Sequence, residues 1–427
     1  MNILISKDEL LALLLRLSGI LVSAAIGFCS LKILLQFDRS VSSVLIAIVG
    51  WQAFIPLAQL GFGRPAYSIL RLRFEKNNLQ KEHTQCVLQV FNFLSIMATV
   101  FFCIFIILFV LKSDYSSNSI NTLFFSIGLA ALSSCTFHRD IAYGIGLEKK
   151  YEMWELVRRI VLLFSYWAIW HGFSFCFFGF ICVATAIISN WLTFNSDGYA
   201  QSIFNGLNFD KKLYSEIARE LMKNGPRYLV ITFNETLFYN LPLVAFTVVS
   251  NGGGIIYFAI WLRLYQLIVL PMRMLVDARV NRTVHAYFNM NRDLLNKELT
   301  LTIWSSLIGV FIAISLLIIW QNSLFEWLGA KEFLSDQWLI ISVLTWGLAN
   351  AFQHVAGSFF MSYGKGFEFG VKISTATLIS MSLSIILAMI YEIEPGKILV
   401  ILGCVYMFWA LIYYRQLMVL KRTICEC

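Results

Sequence analysis

The chain has 427 residues, of which 59% are hydrophobic and only 14% charged, with 37 Phe, 6 Pro and a formal net charge of +8. A soluble domain carries about 45–50% apolar and about 25% charged residues, so a water-soluble enzyme or binding domain is excluded. Apolar runs of about 20 residues recur from end to end, each sufficient to cross a hydrocarbon core of about 30 Å, and the alternating pattern of a membrane barrel is absent. The chain therefore reads as an all-α polytopic membrane protein, because only helices and closed barrels satisfy their backbone polar groups in lipid.

The opening stretch MNILISKDELLALLLRLSGILVSAAIGF places acidic residues ahead of its apolar run and has no small-x-small cleavage site. It reads as a retained first spanning helix rather than a secretory leader. Spans are expected near 10–35, 41–62, 86–111, 119–142, 155–171 and 175–194, the last two divided only by HGFSF at 171–175. After a polar stretch they resume at 227–249, 254–278, 299–320, 337–362, 371–391 and 396–418. The expectation is about twelve transmembrane helices in two six-helix halves, 1–194 and 227–427, joined by a cytoplasmic linker at 195–226. Within the linker, LYSEIARELMKNG reads as a short amphipathic helix closed by Gly225 and Pro226.

Lysine and arginine set the orientation. With the N-terminus inside, the inner segments hold most of them, including Arg64, Arg71, Arg73, Arg139, Arg158, Arg159, Arg219, Arg279 and Arg282. The outer side holds only Lys32, Arg39, Lys112, Lys331 and Lys397. That bias places both termini in the cytoplasm. The net positive charge is thus mainly a topology feature that favours anionic membrane lipids, and no nucleic acid partner is expected.

Two stretches repeat. Y-G-I-G-L-E at 143–148 follows the fourth span and Y-G-K-G-F-E at 363–368 follows the tenth; FEKNNLQKE at 74–82 and FNMNRDLLNKE at 288–298 precede the third and ninth. Offsets of 220 and 216 point to an internal duplication. Both copies start on the cytoplasmic side, so the repeat is parallel, an arrangement that places a transporter's substrate site between the copies near midplane. The glycines lack the G-K-[ST] ending and preceding strand of a phosphate loop, and read as sharp turns between helices. The cysteines are scattered through apolar runs, His171 and His354 stand alone, and no metal, cofactor or ATP motif is expected.

Charges inside spans carry the functional reading, because they are costly in lipid unless they face a bundle interior or an aqueous cavity. Arg16 lies about two turns into the first helix, where it either snorkels to the inner interface or lines a cavity. In the eighth span Arg263, Gln266, Arg273 and Asp277 fall on one helical face. Arg273 and Asp277, four apart, are spaced to pair near the cytoplasmic end, whereas Arg263 has no evident local partner. Glu235, beside Asn234 in the seventh span, is placed to carry a proton or to neutralise Arg263.

GGGIIYFAIWLRLYQLIVLPMRMLVDARVNRTV at 252–284, QLGFGRPAYSILRLRFEKN at 59–77 and the two Y-G-x-G-x-E stretches resemble the polysaccharide transporter family. The likeness is to the O-antigen (Wzx-type) flippases of the multidrug/oligosaccharidyl-lipid/polysaccharide exporter superfamily. The eighth helix of that family has a Gly-Tyr start, a mid-helix Arg-Leu and a Leu-Pro before its cytoplasmic end. One departure is Asn-Glu-Thr at 234–236, where members often have Asp-Arg. The resemblance implies a non-enzymatic bacterial inner-membrane flippase for undecaprenyl-diphosphate-linked oligosaccharide, working by alternating access. It also implies pathway partners, the polymerase and chain-length proteins. Arg16 and Arg263, with Arg64 and Arg273 at the inner end, are the expected phosphate-binding cations, and Glu235 and Asp277 the expected ion-coupling or charge-balancing acids. The competing readings are a drug/cation antiporter of the same superfamily, which needs acidic cavity residues, and an O-antigen polymerase-type enzyme, which the short outer loops disfavour.

Overall fold

The computed structural model describes residues 7–75, 81–112, 119–195, 211–248, 252–288, 291–333, 336–363 and 367–426, and every regular element among them is helical. The chain divides into two compact units, Met1–Phe233 and Asn234–Cys427.

The first unit begins with α1 (Lys7–Leu34) and α2 (Arg39–Trp51), which continues as a tighter 3-10 segment over Gln52–Gln59 around Pro56. After α3 (Gly63–Glu75) and α4 (Lys81–Lys112), α5 (Ser119–Ser134) passes through a 3-10 turn, Cys135–His138, into α6 (Arg139–Gly144). The next two helices are α7 (Glu148–Trp170) and α8 (Phe175–Asn195), separated at Gly172 (φ 86°) within the HGFSF stretch. Helix α9 (Lys211–Val248) leads into the second unit: α10 (Gly252–Phe288), α11 (Arg292–Leu328), α12 (Gln337–Tyr363), α13 (Phe367–Ile390) and α14 (Pro395–Glu426). In the first unit α1 packs on α7, α7 on α8, α8 on α5 and α5 on α4; in the second α12 lies along α14, α10 packs on α11 and α12, and α13 on α14.

Among the described residues, nine helices are by themselves long and apolar enough to span a membrane. Three expected spans fall short for identifiable reasons. Only Leu21–Leu34 of α1 qualifies, as a shorter apolar helix. Helix α5 has 16 residues before its 3-10 turn, and α7 opens on a charged stretch from Glu148 to Arg159. Burial supports the membrane reading. On α11, Trp304, Ile308, Phe311, Ile312 and Ile319 are each more than half exposed, while Thr302 and Ser306 are fully buried. A surface helix of a soluble protein would show the opposite distribution. This is a multi-pass membrane protein.

The expected stop at Gly225–Pro226 is not there: α9 is one continuous helix through both residues. Pro226 has no N–H to donate to the preceding turn, a local cost that packing overrides. Leu60 and Gly61, both at positive φ (53° and 71°), turn the chain after the 3-10 segment and bring it against α9. A Cβ on Gly61 would lie 2.2 Å from the Gly225 carbonyl oxygen and 2.4 Å from the Leu229 nitrogen, and the Phe62 ring covers Gly225. The division between the units therefore falls inside a helix, at 233/234, rather than in a loop. Helices α10 and α11 also outrun their expected spans, and Asn291 caps α11 by accepting from the Leu294 N–H at 3.0 Å.

The Y-G-I-G-L-E stretch is a sharp turn, as its glycines imply. Helix α6 ends at Gly144, Gly146 takes φ 78°, and α7 starts at Glu148. The Tyr143 hydroxyl donates to Glu152, which also faces Arg139 at 3.5 Å. The matching residues 364–366, and 76–80 of the other repeat landmark, lie outside the described residues.

Candidate functional site

In the second unit, four apolar helices converge on one cluster of polar and aromatic side chains. Helix α10 contributes Trp261, Tyr265 and Arg273, α9 Tyr239, α12 Trp346 and Asn350, and α14 Tyr406. Trp261 and Tyr265, four apart and therefore on one face, stack with centroids 5.2 Å apart and planes 5° from parallel. Trp346 meets Trp261 edge-on at 5.0 Å, and its indole N–H donates to the Leu399 carbonyl at 2.8 Å. Tyr406 lies 5.3 Å from Trp346 and is fully buried. Such rings bury large area in few conformations, so they fix the polar groups between them.

Those polar groups form a closed hydrogen-bond set. Arg273 donates from Nε to Asn350 Oδ1 at 3.3 Å and from Nη2 to the Tyr239 hydroxyl at 3.1 Å. Asn350 Nδ2 donates to the hydroxyls of Tyr239, at 2.6 Å, and Tyr406, at 3.1 Å. With both lone pairs of Tyr239 taken by Arg273 and Asn350, its own proton goes to Tyr406, 2.9 Å away. The guanidinium also faces the Tyr239 ring, 5.7 Å from its centroid. Every partner of Arg273 in this set is neutral. Glu235, one turn before Tyr239 and exposed, is within electrostatic reach of Arg273, but no ion pair joins them.

The expected residues are distributed as follows. Arg273 lies in this cluster, held by Tyr239 and Asn350. Arg263 is partly buried on α10, about 15 Å along the helix axis from Arg273, and donates from Nη1 to Gln266 at 2.9 Å. It therefore has the local partner that its sequence context did not reveal. The charge that reaches Glu235 is that of Arg273 rather than that of Arg263. Asn234 beside it donates to Ser374 at 3.1 Å and Thr375 at 2.9 Å on α13. Arg16, in α1, Arg64, in α3, and Asp277, in α10, have side chains outside the described residues.

Sequence reasoning missed Tyr239, Asn350 and Tyr406. A lone Asn inside the apolar WGLANAF was the one available indication, since buried amides must find partners.

The first unit holds a second polar network, again missed. The lysine and arginine bias places Arg158 and Arg159 of α7 among the inner-side cations, yet Arg158 is 3% exposed. It donates twice to Glu155, with the Nε contact at 3.0 Å, and to Ser189 and Asn190 of α8 at 3.1 and 3.3 Å. Arg159 Nε closes on the other Glu155 oxygen at 2.9 Å. Asn190 also reaches His138, whose second ring nitrogen lies 2.5 Å from Asn92 of α4. Glu155 followed by arginines three and four residues later was the readable sign of it.

By sequence the chain matches no family model and no curated protein. By structure it matches a multidrug resistance MATE family transporter of the MOP superfamily in its inward-facing conformation. That TM-score is 0.72 at 14% identity, covering 97% of this chain and 99% of the other. The fold is that of the MATE transporters. An outward-facing MATE family transporter of the same superfamily matches with a TM-score of 0.64 at 12% identity, over 99% and 97% of the two chains. A mutant of the Vibrio cholerae MATE transporter VcmN matches at 0.65 and 12%, over 96% of each. The MATE fold accounts for the two helical units at nearly full length in both chains, and at these identities it speaks for architecture alone.

Proposed function

We propose that the chain is a flippase that moves undecaprenyl-diphosphate-linked surface-polysaccharide repeat units from the cytoplasmic to the periplasmic leaflet by alternating access. The observation that carries this reading is Arg273. It sits in an apolar helix, its hydrogen-bond partners among the described residues are an amide and a phenol, and only two of its five N–H donors are used in that set. A cation held by neutral groups retains charge and donors for a diphosphate, which cannot cross hydrocarbon unaided. The resemblance to O-antigen flippases supplies the lipid-linked sugar. The inward- and outward-facing states named for the structural neighbours support the alternating-access part. The lysine and arginine bias supports an inner-membrane orientation with both termini in the cytoplasm.

The test is genetic. Deletion should strand single lipid-linked repeat units on the cytoplasmic face, and Arg273→Ala should fail to restore export. Single repeat units displayed at the cell surface would instead indicate a polymerase. A second reading has its own observation: Glu235 is exposed in the same unit, and the neighbours include a multidrug transporter. A drug/cation antiporter would extrude a lipophilic cation from cells in a Glu235-dependent manner, with polysaccharide export unaffected by the deletion.

A further inference from the structure

Asn350 is the hub of the α9–α10–α12–α14 cluster. Its amide makes three bonds to three different helices: it accepts from Arg273 on α10 and donates to Tyr239 on α9 and Tyr406 on α14. It is 1% exposed, so it acts on a ligand only through what it holds. The choice of an amide here has an electrostatic consequence. A carboxylate of the same shape would accept the same Nε bond, and the Tyr239 and Tyr406 hydroxyls could donate to it in place of the two amide donors. It would also form a buried ion pair with Arg273 and cancel the charge. The amide orients the guanidinium without spending its charge. With Nε and one Nη2 hydrogen engaged, the Nη1 pair and the second Nη2 hydrogen have no hydrogen-bond partner among the described residues, and they form the edge of the fork that grips two oxygens of one phosphate.

We infer that Asn350 is the specificity-determining positioning residue of this site: by holding Arg273 through an uncharged acceptor, it keeps the site selective for phosphate or diphosphate groups over cations. This rests on the reading of Arg273 as the anion-binding cation. Glu235, the nearby carboxylate, makes no ion pair with Arg273 among the described residues.

The experiment uses the purified full-length protein in detergent, with inorganic pyrophosphate and tetraphenylphosphonium as probes, followed by thermal unfolding and tryptophan fluorescence. Wild type should bind pyrophosphate, and Arg273→Ala should abolish that binding. Asn350→Asp should weaken pyrophosphate by about tenfold or more while strengthening tetraphenylphosphonium, with the unfolding temperature held or raised. A merely structural role would weaken pyrophosphate with no gain in tetraphenylphosphonium binding, and that result overturns the inference. Undiminished pyrophosphate affinity in folded Asn350→Asp overturns the inference and leaves the Arg273 reading standing. No pyrophosphate binding by wild type removes both. Should Asn350→Asp not fold, Asn350→Ser decides: it adds no charge, so affinity should fall about threefold or more with cation exclusion retained, and unchanged affinity overturns the proposal.

Discussion

Arg158 in the first unit and Arg273 in the second both sit within helical bundles, and they are accommodated in opposite ways. Arg158 lies against a carboxylate, Glu155, which Arg159 grips from its other side, and Ser189 and Asn190 accept from its Nη1. Its charge is paired with a carboxylate inside the protein. Arg273 is oriented by Asn350 and Tyr239, both neutral, and among the described residues no ion pair joins it to an acid. The first arrangement ties a charge into the contact between two helices; the second, under the proposed function, keeps a charge available. Burial sharpens the contrast, since Arg158 is almost wholly enclosed while Arg273 remains partly accessible.

If that distinction is right, mutations should separate stability from export. Arg158→Met leaves Glu155 half-paired and Ser189 and Asn190 without their donor, and should cost about 3–5 kcal/mol in thermal unfolding. Full stability in that variant would show that the network is not a scaffold. Gly61→Val tests where α9 belongs, because it forces a β-branched residue into positive φ and drives a methyl-bearing carbon into the backbone at Gly225 and Leu229. A loss on the order of 3 kcal/mol is expected from combined strain and overpacking. Arg273→Ala should do the reverse of Arg158→Met. Export by complementation should fall by about tenfold or more, while unfolding shifts by about 2 kcal/mol, since charge-assisted hydrogen bonds are lost but no paired counter-ion is stranded. Equal losses in both assays would erase the contrast between the units. Trp346→Phe keeps most of the ring area but forfeits the bond to the Leu399 carbonyl, and should cost about 1 kcal/mol with a modest effect on export.

The fold was largely legible because lipid imposes it. Runs such as 175–194 and 371–391 match α8 and α13 to within a few residues, since a span's length is set by bilayer thickness. Gly225–Pro226 was misread because local propensity marked a stop, while the turn at Leu60–Phe62 packs against that backbone and holds the helix intact. The site was legible only in part. Arg263, Arg273 and Glu235 stand out as charges in apolar segments, but their partners do not. Gln266 was visible on the same face as Arg263 without revealing that the two bond. Tyr239, Asn350 and Tyr406 are separated by more than a hundred residues in all, and each is unremarkable within its own helix.

By itself, then, the sequence determined that this is a helical membrane protein, roughly where its spans lie, and which segments carry a charge that lipid would penalise. Those properties follow from transfer free energies and helical period, both local. Which neutral groups hold Arg273, and which groups of α8 complete the set around Arg158, was decided by tertiary structure alone. Glu155 lies on the same helix as Arg158, but Ser189 and Asn190 reach Arg158, and Asn350 and Tyr239 reach Arg273, from neighbouring helices, and helix packing, not chain order, brings them there.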